Sequence, residues 1–173
     1  HALRDELDAG RPVLVLQNLG IALLPVWHYA VVIGLQPDTD QVVLRSGTVR
    51  RHVIAADEFL RSWQLADNWA MVVVRPGALP AQVDPDRYLK AVALSERYLQ
   101  PKDRVAAYKA VLEQWPDNPT ARFGLAYALH DAGDLTAATS AYLELIEENP
   151  GHVVAYNNLA DVLRRRGCNV GAR

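Results

Sequence analysis

The residues best suited to chemistry surround His28, in the run Trp27-His28-Tyr29. An imidazole exchanges its proton near neutral pH, so a histidine held rigidly at the mouth of a buried strand can serve as a general base. A histidine beside an apolar strand is, taken alone, more often a satisfied structural residue. The candidate partner is Ser46, in Arg45-Ser46-Gly47. Its hydroxyl can accept a hydrogen bond from the ring but carries no charge to stabilise an imidazolium. Asn18, just past an apolar run, is a second polar group able to approach. The single cysteine is Cys168, whose setting, Gly167-Cys168-Asn169, reads as a frayed helix end rather than a nucleophile. One thiol also excludes an internal disulfide and a cysteine-based zinc site within this chain.

Other constellations point away from cofactors. His28, His52, His130 and His152 lack metal-ligand spacing, and Asp38 with Asp40 reads as a turn rather than a calcium loop. A Gly-rich phosphate loop is missing. With half its residues apolar and a net charge of -2, the chain suits one or two small folded domains and argues against nucleic acid as a partner. The basic run Arg164-Arg165-Arg166 fits the favourable charge of a helix C-terminus. No apolar run approaches the ~20 residues of a membrane span, the longest being broken by Pro25 and His28. The chain opens at His1 without Met, so a preceding segment is expected to have been removed.

The elements that must position His28 are short. Ala2 to Ala9 predicts a helix with Leu3 and Leu7 on one face, stopped by Gly10. Pro12 to Gln17 and Tyr29 to Leu35 read as buried strands, and Gln41 to Arg45 as the hairpin partner of the second. His52 to Ile54 adds a short strand, Asp57 caps or opens a helix through Trp63, and Trp69 to Val74 closes the set as a central strand. Pro76, Gly77 and Pro80 then break regular structure, and the hydrophobic period changes from 2 to 3.6. The domains expected are 1–76, a linker at 77–84, and a helical region at 85–173.

That region repeats. Pro116 and Pro150 differ by 34 positions (150 − 116), and so do Tyr108 and Tyr142, Ala121 and Ala155, and Leu125 and Leu159. The same offset relates Ala126 to Ala160, Leu129 to Leu163, Gly133 to Gly167 and Ala138 to Ala172. The two alanines at 126 and 160 are small where paired helices must approach, and the glycines end first helices in a left-handed residue. The pattern resembles the tetratricopeptide repeat, one helix-turn-helix per ~34 residues. The complete unit is 119–152. The unit before it departs from the pattern at Val92 and Arg104, and the unit after it stops at Arg173. Such units stack around a concave groove lined by first helices. The family pattern puts Phe123, Tyr127, His130, Asn157, Asp161 and Arg164 at groove positions, a mix suited to a peptide segment. A solvated face with no ligand is the plainer reading of the same residues.

A second resemblance covers residues ~1 to 76. Gly10-Arg11-Pro12-Val13-Leu14-Val15, then Trp27-His28-Tyr29-Ala30-Val31-Val32, then Val42-Val43-Leu44-Arg45-Ser46-Gly47, look like the C-terminal half of papain-like peptidases of the C39 type. The resemblance implies an α+β protein: a partial papain-like antiparallel sheet followed by an α-helical tetratricopeptide solenoid. It implies His28 as catalytic base, with Ser46 where the family has an Asp. It also implies a thiolate from a Gln-Cys-Gly-Pro type motif that this chain lacks, so the chain alone is expected to be inactive. Protein or peptide substrates and a cell-envelope location, as a lipoprotein in longer form, follow from the same resemblance. The rival is a non-catalytic adaptor with a degenerate peptidase domain. A half-sheet left uncovered would also call for a second chain, either the absent half or another copy.

Overall fold

Alternation of small β-branched residues with exposed ones builds the first unit. In the computed structural model, which describes residues 2–167, the chain divides into two compact units. The first is His1–Val74 with Pro80–Gln82, and the second is Arg75–Leu79 with Val83–Arg173. In the first, α1 (Ala2–Asp8) leads into β1 (Val13–Asn18), β2 (Trp27–Gln36), β3 (Gln41–Ser46) and β4 (Val49–Ala55). Then come α2 (Ala56–Gln64) and β5 (Ala70–Val72). All pairings are antiparallel, in the order β4-β3-β2-β1-β5. Val13, Val15, Ala30, Val32, Val42 and Leu44 meet Phe59 of α2 in one core, with Leu3 and Leu7 of α1 packed against it.

Two expectations are corrected here. The Trp69 to Val74 run is an edge, not a central strand: three residues pair with β1 alone, and Val73 is 78 % exposed. β4 is a full seven-residue partner of β3 instead of the short His52 to Ile54 piece. Of the two roles open to Asp57, it takes the second: the N-cap of α2 is Ala55 without a side-chain bond, and Asp57 lies in the first turn, where a carboxylate favours the dipole. The breaker segment is also partly tied down within this unit. Glu6, buried on α1, takes the Ala81 amide at 2.5 Å and the Arg11 guanidinium at 2.5 Å.

The second unit comprises α3 (Pro85–Ser95), α4 (Pro101–Gln114), α5 (Pro119–Asp131), α6 (Leu135–Glu148) and α7 (Val153–Arg165). Its period is written in the caps. Asp84, Asn118 and His152, spaced by 34 (118 − 84 and 152 − 118), are the N-caps of α3, α5 and α7. Each accepts backbone N–H bonds through a different atom: a carboxylate oxygen, an amide oxygen and imidazole Nδ1. Gly133 and Gly167 take positive φ, 81° and 76°, after α5 and α7. Ala126, Ala138, Tyr142, Leu145, Ala155 and Val162 form the core between α5, α6 and α7. Ala126 is fully buried where helices approach, but Ala160 is exposed because no described helix covers that side of α7. Cys168 and Ala172 lie outside the described residues.

Tyr142 carries a pH prediction. Burial pushes its phenol from an ordinary 10.0 up to about 12, and the hydrogen bond from Asn158 opposes that only in part. Burial also raises Tyr108, with the Glu96 carboxylate adding to the shift. A folded-state value above the unfolded one favours the protonated phenol. The contribution is therefore complete below about pH 10 and is lost as pH rises through about 12, a loss of about 2 kcal/mol from Tyr142. Urea midpoints followed by circular dichroism at about pH 9 and about pH 11.5 should show it, with Tyr142→Phe reducing the difference.

Candidate functional site

His28 is the second residue of β2 rather than a loop residue before it, since the strand starts at Trp27. Pleating sends Trp27 and Tyr29, both more than half exposed, to the face opposite His28. His28 itself is half-buried, paired in register with Gln17 of β1. Its Nε2 lies 2.7 Å from Ser46 Oγ at the end of β3. Asn18 does not approach it: its buried Oδ1 accepts from the Gly20 and Val26 amides, each at 2.9 Å, and closes the β1–β2 loop. The polar neighbour missed in the sequence is Gln17, 2 % exposed, whose Nε2 donates to Ser62 Oγ of α2 at 2.7 Å. Strand alternation from Val13 and Val15 placed Gln17 inward and could have revealed it.

This arrangement fixes the ring through one neutral hydrogen bond. Among the described residues no carboxylate pairs with His28, and no group of three or more metal-ligating side chains gathers. A cavity of about 260 Å³ lies elsewhere in the first unit, between Leu3, Leu35, Phe59, Leu60 and Trp63, and does not include His28. The pair can hold an imidazole for proton exchange, but it contains no strong nucleophile. Ser46 lacks the charge that would stabilise an imidazolium.

The second candidate lies on α5 and α7. His130 Nε2 is 3.2 Å from Asp161 Oδ2 and 2.7 Å from Arg165 Nη1. One ring nitrogen cannot serve both at once: protonated it donates to Asp161, and unprotonated it accepts from Arg165. Arg164 donates to Asp161 Oδ1 at 2.5 Å. That bond, aided by the charges of Arg164, His130 and Arg165, holds the Asp161 carboxyl below its ordinary range. Three of the six groove residues, His130, Asp161 and Arg164, thus meet in one network, which Arg165 joins. Tyr127, 42 % exposed, and Asn157, also exposed, remain open on the same helices. Phe123 departs from the expectation. It is partly buried against the core, edge-on to Tyr142 at 6.4 Å and stacked on His152 at 5.0 Å, because the cap residue's ring covers it.

The departures in the preceding unit have a physical account as well. Arg104 of α4 pairs with Asp131 at the end of α5, although its buried Nε has no partner. Val92 is buried in α3. Tyr108 rests on α5 at Gly124, and its hydroxyl donates to Glu96 Oε1 at 2.7 Å.

Caps, wedges and left-handed glycines in register define α5 to α7 as stacked helical hairpins, a class of protein-interaction module. Residues 105–153 match the tetratricopeptide repeat, as do residues 141–173. No peptidase family matches the first half. Neither the curated proteins nor the solved structures hold a match. Among the described residues no helix is long and apolar enough to cross a membrane.

Proposed function

We propose that this chain binds an extended peptide segment of a protein partner across α5 and α7. The observation that carries the reading is the network of His130, Asp161, Arg164 and Arg165, which leaves Tyr127 and Asn157 open beside fixed charges. A tyrosine offers large contact area at low entropic cost, and an amide offers paired backbone hydrogen bonds. Tyr127→Ala is expected to weaken a bound peptide on the order of tenfold or more. Fluorescence anisotropy with a labelled peptide selected against the whole chain measures it. An unchanged affinity would place the peptide elsewhere.

A second reading concerns the first unit: a C39-like peptidase half with His28 as base, oriented by Ser46. The 2.7 Å bond between Nε2 and Oγ and the half-exposed ring favour it. The thiolate has to come from a polypeptide segment that this chain does not contain, and a cell-envelope location belongs to the same reading. With a neutral partner on the imidazole and no thiol beside it among the described residues, the adaptor role accounts for more of what is seen. The chain alone is expected to show no turnover of amide substrates. Turnover that His28→Ala abolishes would overturn the assignment of the nucleophile to another segment.

A further inference from the structure

One end of the sheet unit is unlike the rest of its surface. Residues 19–26, Leu-Gly-Ile-Ala-Leu-Leu-Pro-Val, connect β1 to β2 without a single charge. Ile21, Leu24 and Leu23 are 60 %, 72 % and 88 % exposed, the last as open to water as a folded chain allows. Exposed loops normally leave their amides to water, and this one ties down five of its seven, all but those of Ala22 and Leu23. Leu19 N–H donates to Val26 O, Ile21 and Leu24 exchange N–H bonds, and the Gly20 and Val26 amides go to Asn18. Gly20 makes the tight closure possible, since a Cβ there would lie 2.2 Å from the Leu24 carbonyl oxygen.

Charge is sorted along the strands as well. The register puts the β3–β4 turn at the same end as this loop, because Ser46 pairs with Ala30 and Val49. Arg45, Arg50 and Arg51 are exposed there, and among the described residues none pairs with a carboxylate. Trp69 is at this end too, bonded through its carbonyl to the Leu16 amide and edge-on to Tyr29 at 5.8 Å. Asp38, Asp40, Asp57 and Glu58 gather at the opposite end, where the Ala56 amide donates to the Asp40 carbonyl. Asp67, in the turn before Trp69, is the acidic exception, and Arg4 and the Asp57-paired Arg61 are the basic ones at the far end.

We propose that this end of the sheet docks on an anionic lipid bilayer. An exposed apolar loop most of whose amides are bonded locally suits a medium poor in hydrogen-bond partners. Trp27, Tyr29 and Trp69 at its base have the amphipathic rings that settle at headgroup depth. The three unpaired arginines meet phosphate groups, and the acidic end faces away. This surface shares no residue with the peptide groove, and the His28–Ser46 pair lies at the same end of the sheet.

Sedimentation of the whole chain with vesicles tests it, using phosphatidylcholine alone or mixed with phosphatidylglycerol. Binding is expected to the mixed vesicles and to weaken with salt. Leu23→Asp with Leu24→Asp should lower partitioning by on the order of tenfold or more. Arg50→Gln and Arg51→Gln should each cost about fivefold. These side chains are exposed, so circular dichroism should show an unchanged fold. Absence of binding to the mixed vesicles would overturn the proposal, as would binding that the leucine variants leave intact. A chain that ignores vesicles but self-associates until Leu23→Asp separates it would assign the loop to a protein interface instead.

Discussion

Tyr142→Ala is expected to destabilise the helical unit by about 3–5 kcal/mol, the cost of deleting a fully buried aromatic ring. The ring is 0 % exposed and fills the space between α6, α5 and α7, touching Phe123 edge-on and accepting from Asn158 Nδ2 at 3.2 Å. Its removal leaves a void that straight helices cannot close and strands the Asn158 amide without its partner. The loss should not reach the sheet core around Phe59, which belongs to the other unit. Urea unfolding should therefore show an earlier loss of helical signal, with the sheet transition unmoved. A midpoint shift of under about 1 kcal/mol would mean that Tyr142 is not the wedge of the stack.

Gly124→Ala should cost about 1–3 kcal/mol by overpacking, although alanine is the better helix former by ~1 kcal/mol. An added Cβ would stand 2.2 Å, 2.5 Å and 2.6 Å from three atoms of the Tyr108 ring. That ring cannot swing aside freely, being 5 % exposed and bonded to Glu96. One repeat further on, the same position is Asn158, which meets Tyr142 with a side chain instead of bare backbone. The hydroxyls differ too: Tyr108 reaches Glu96 on its own hairpin, and Tyr142 meets Asn158 of the next helix. The double variant Gly124→Ala with Tyr108→Leu should recover much of the loss, and thermal melts of the three variants measure it. A stabilised Gly124→Ala would contradict the close approach.

The helical unit was largely legible because its period repeats side-chain types at fixed roles, Tyr108 with Tyr142 and Gly133 with Gly167. The caps escaped notice because Asp84, Asn118 and His152 share a role and not a residue type. Phe123 was placed in the groove by position alone, whereas the imidazole that covers it arrives from the next cap. The sheet was legible in its strands but not in its order. The run from Trp69 to Val74 is apolar enough for a central strand, yet only three of its residues find a partner. Composition cannot say which edges stay free. Around His28, the Ser46 contact follows from antiparallel pairing of β2 and β3. The diversion of Asn18 into the β1–β2 loop depends on amides that no sequence pattern displays.

The proposed working surface of this protein is the pair of helices α5 and α7. Panning a phage-displayed random peptide library on the whole chain, followed by anisotropy of the recovered peptides, tests it most directly. The expected result is a set of peptides that lose on the order of tenfold in affinity with Tyr127→Ala and with Asn157→Ala, but none with Leu143→Ala on α6. Peptides indifferent to both groove substitutions and displaced by Leu143→Ala would contradict it.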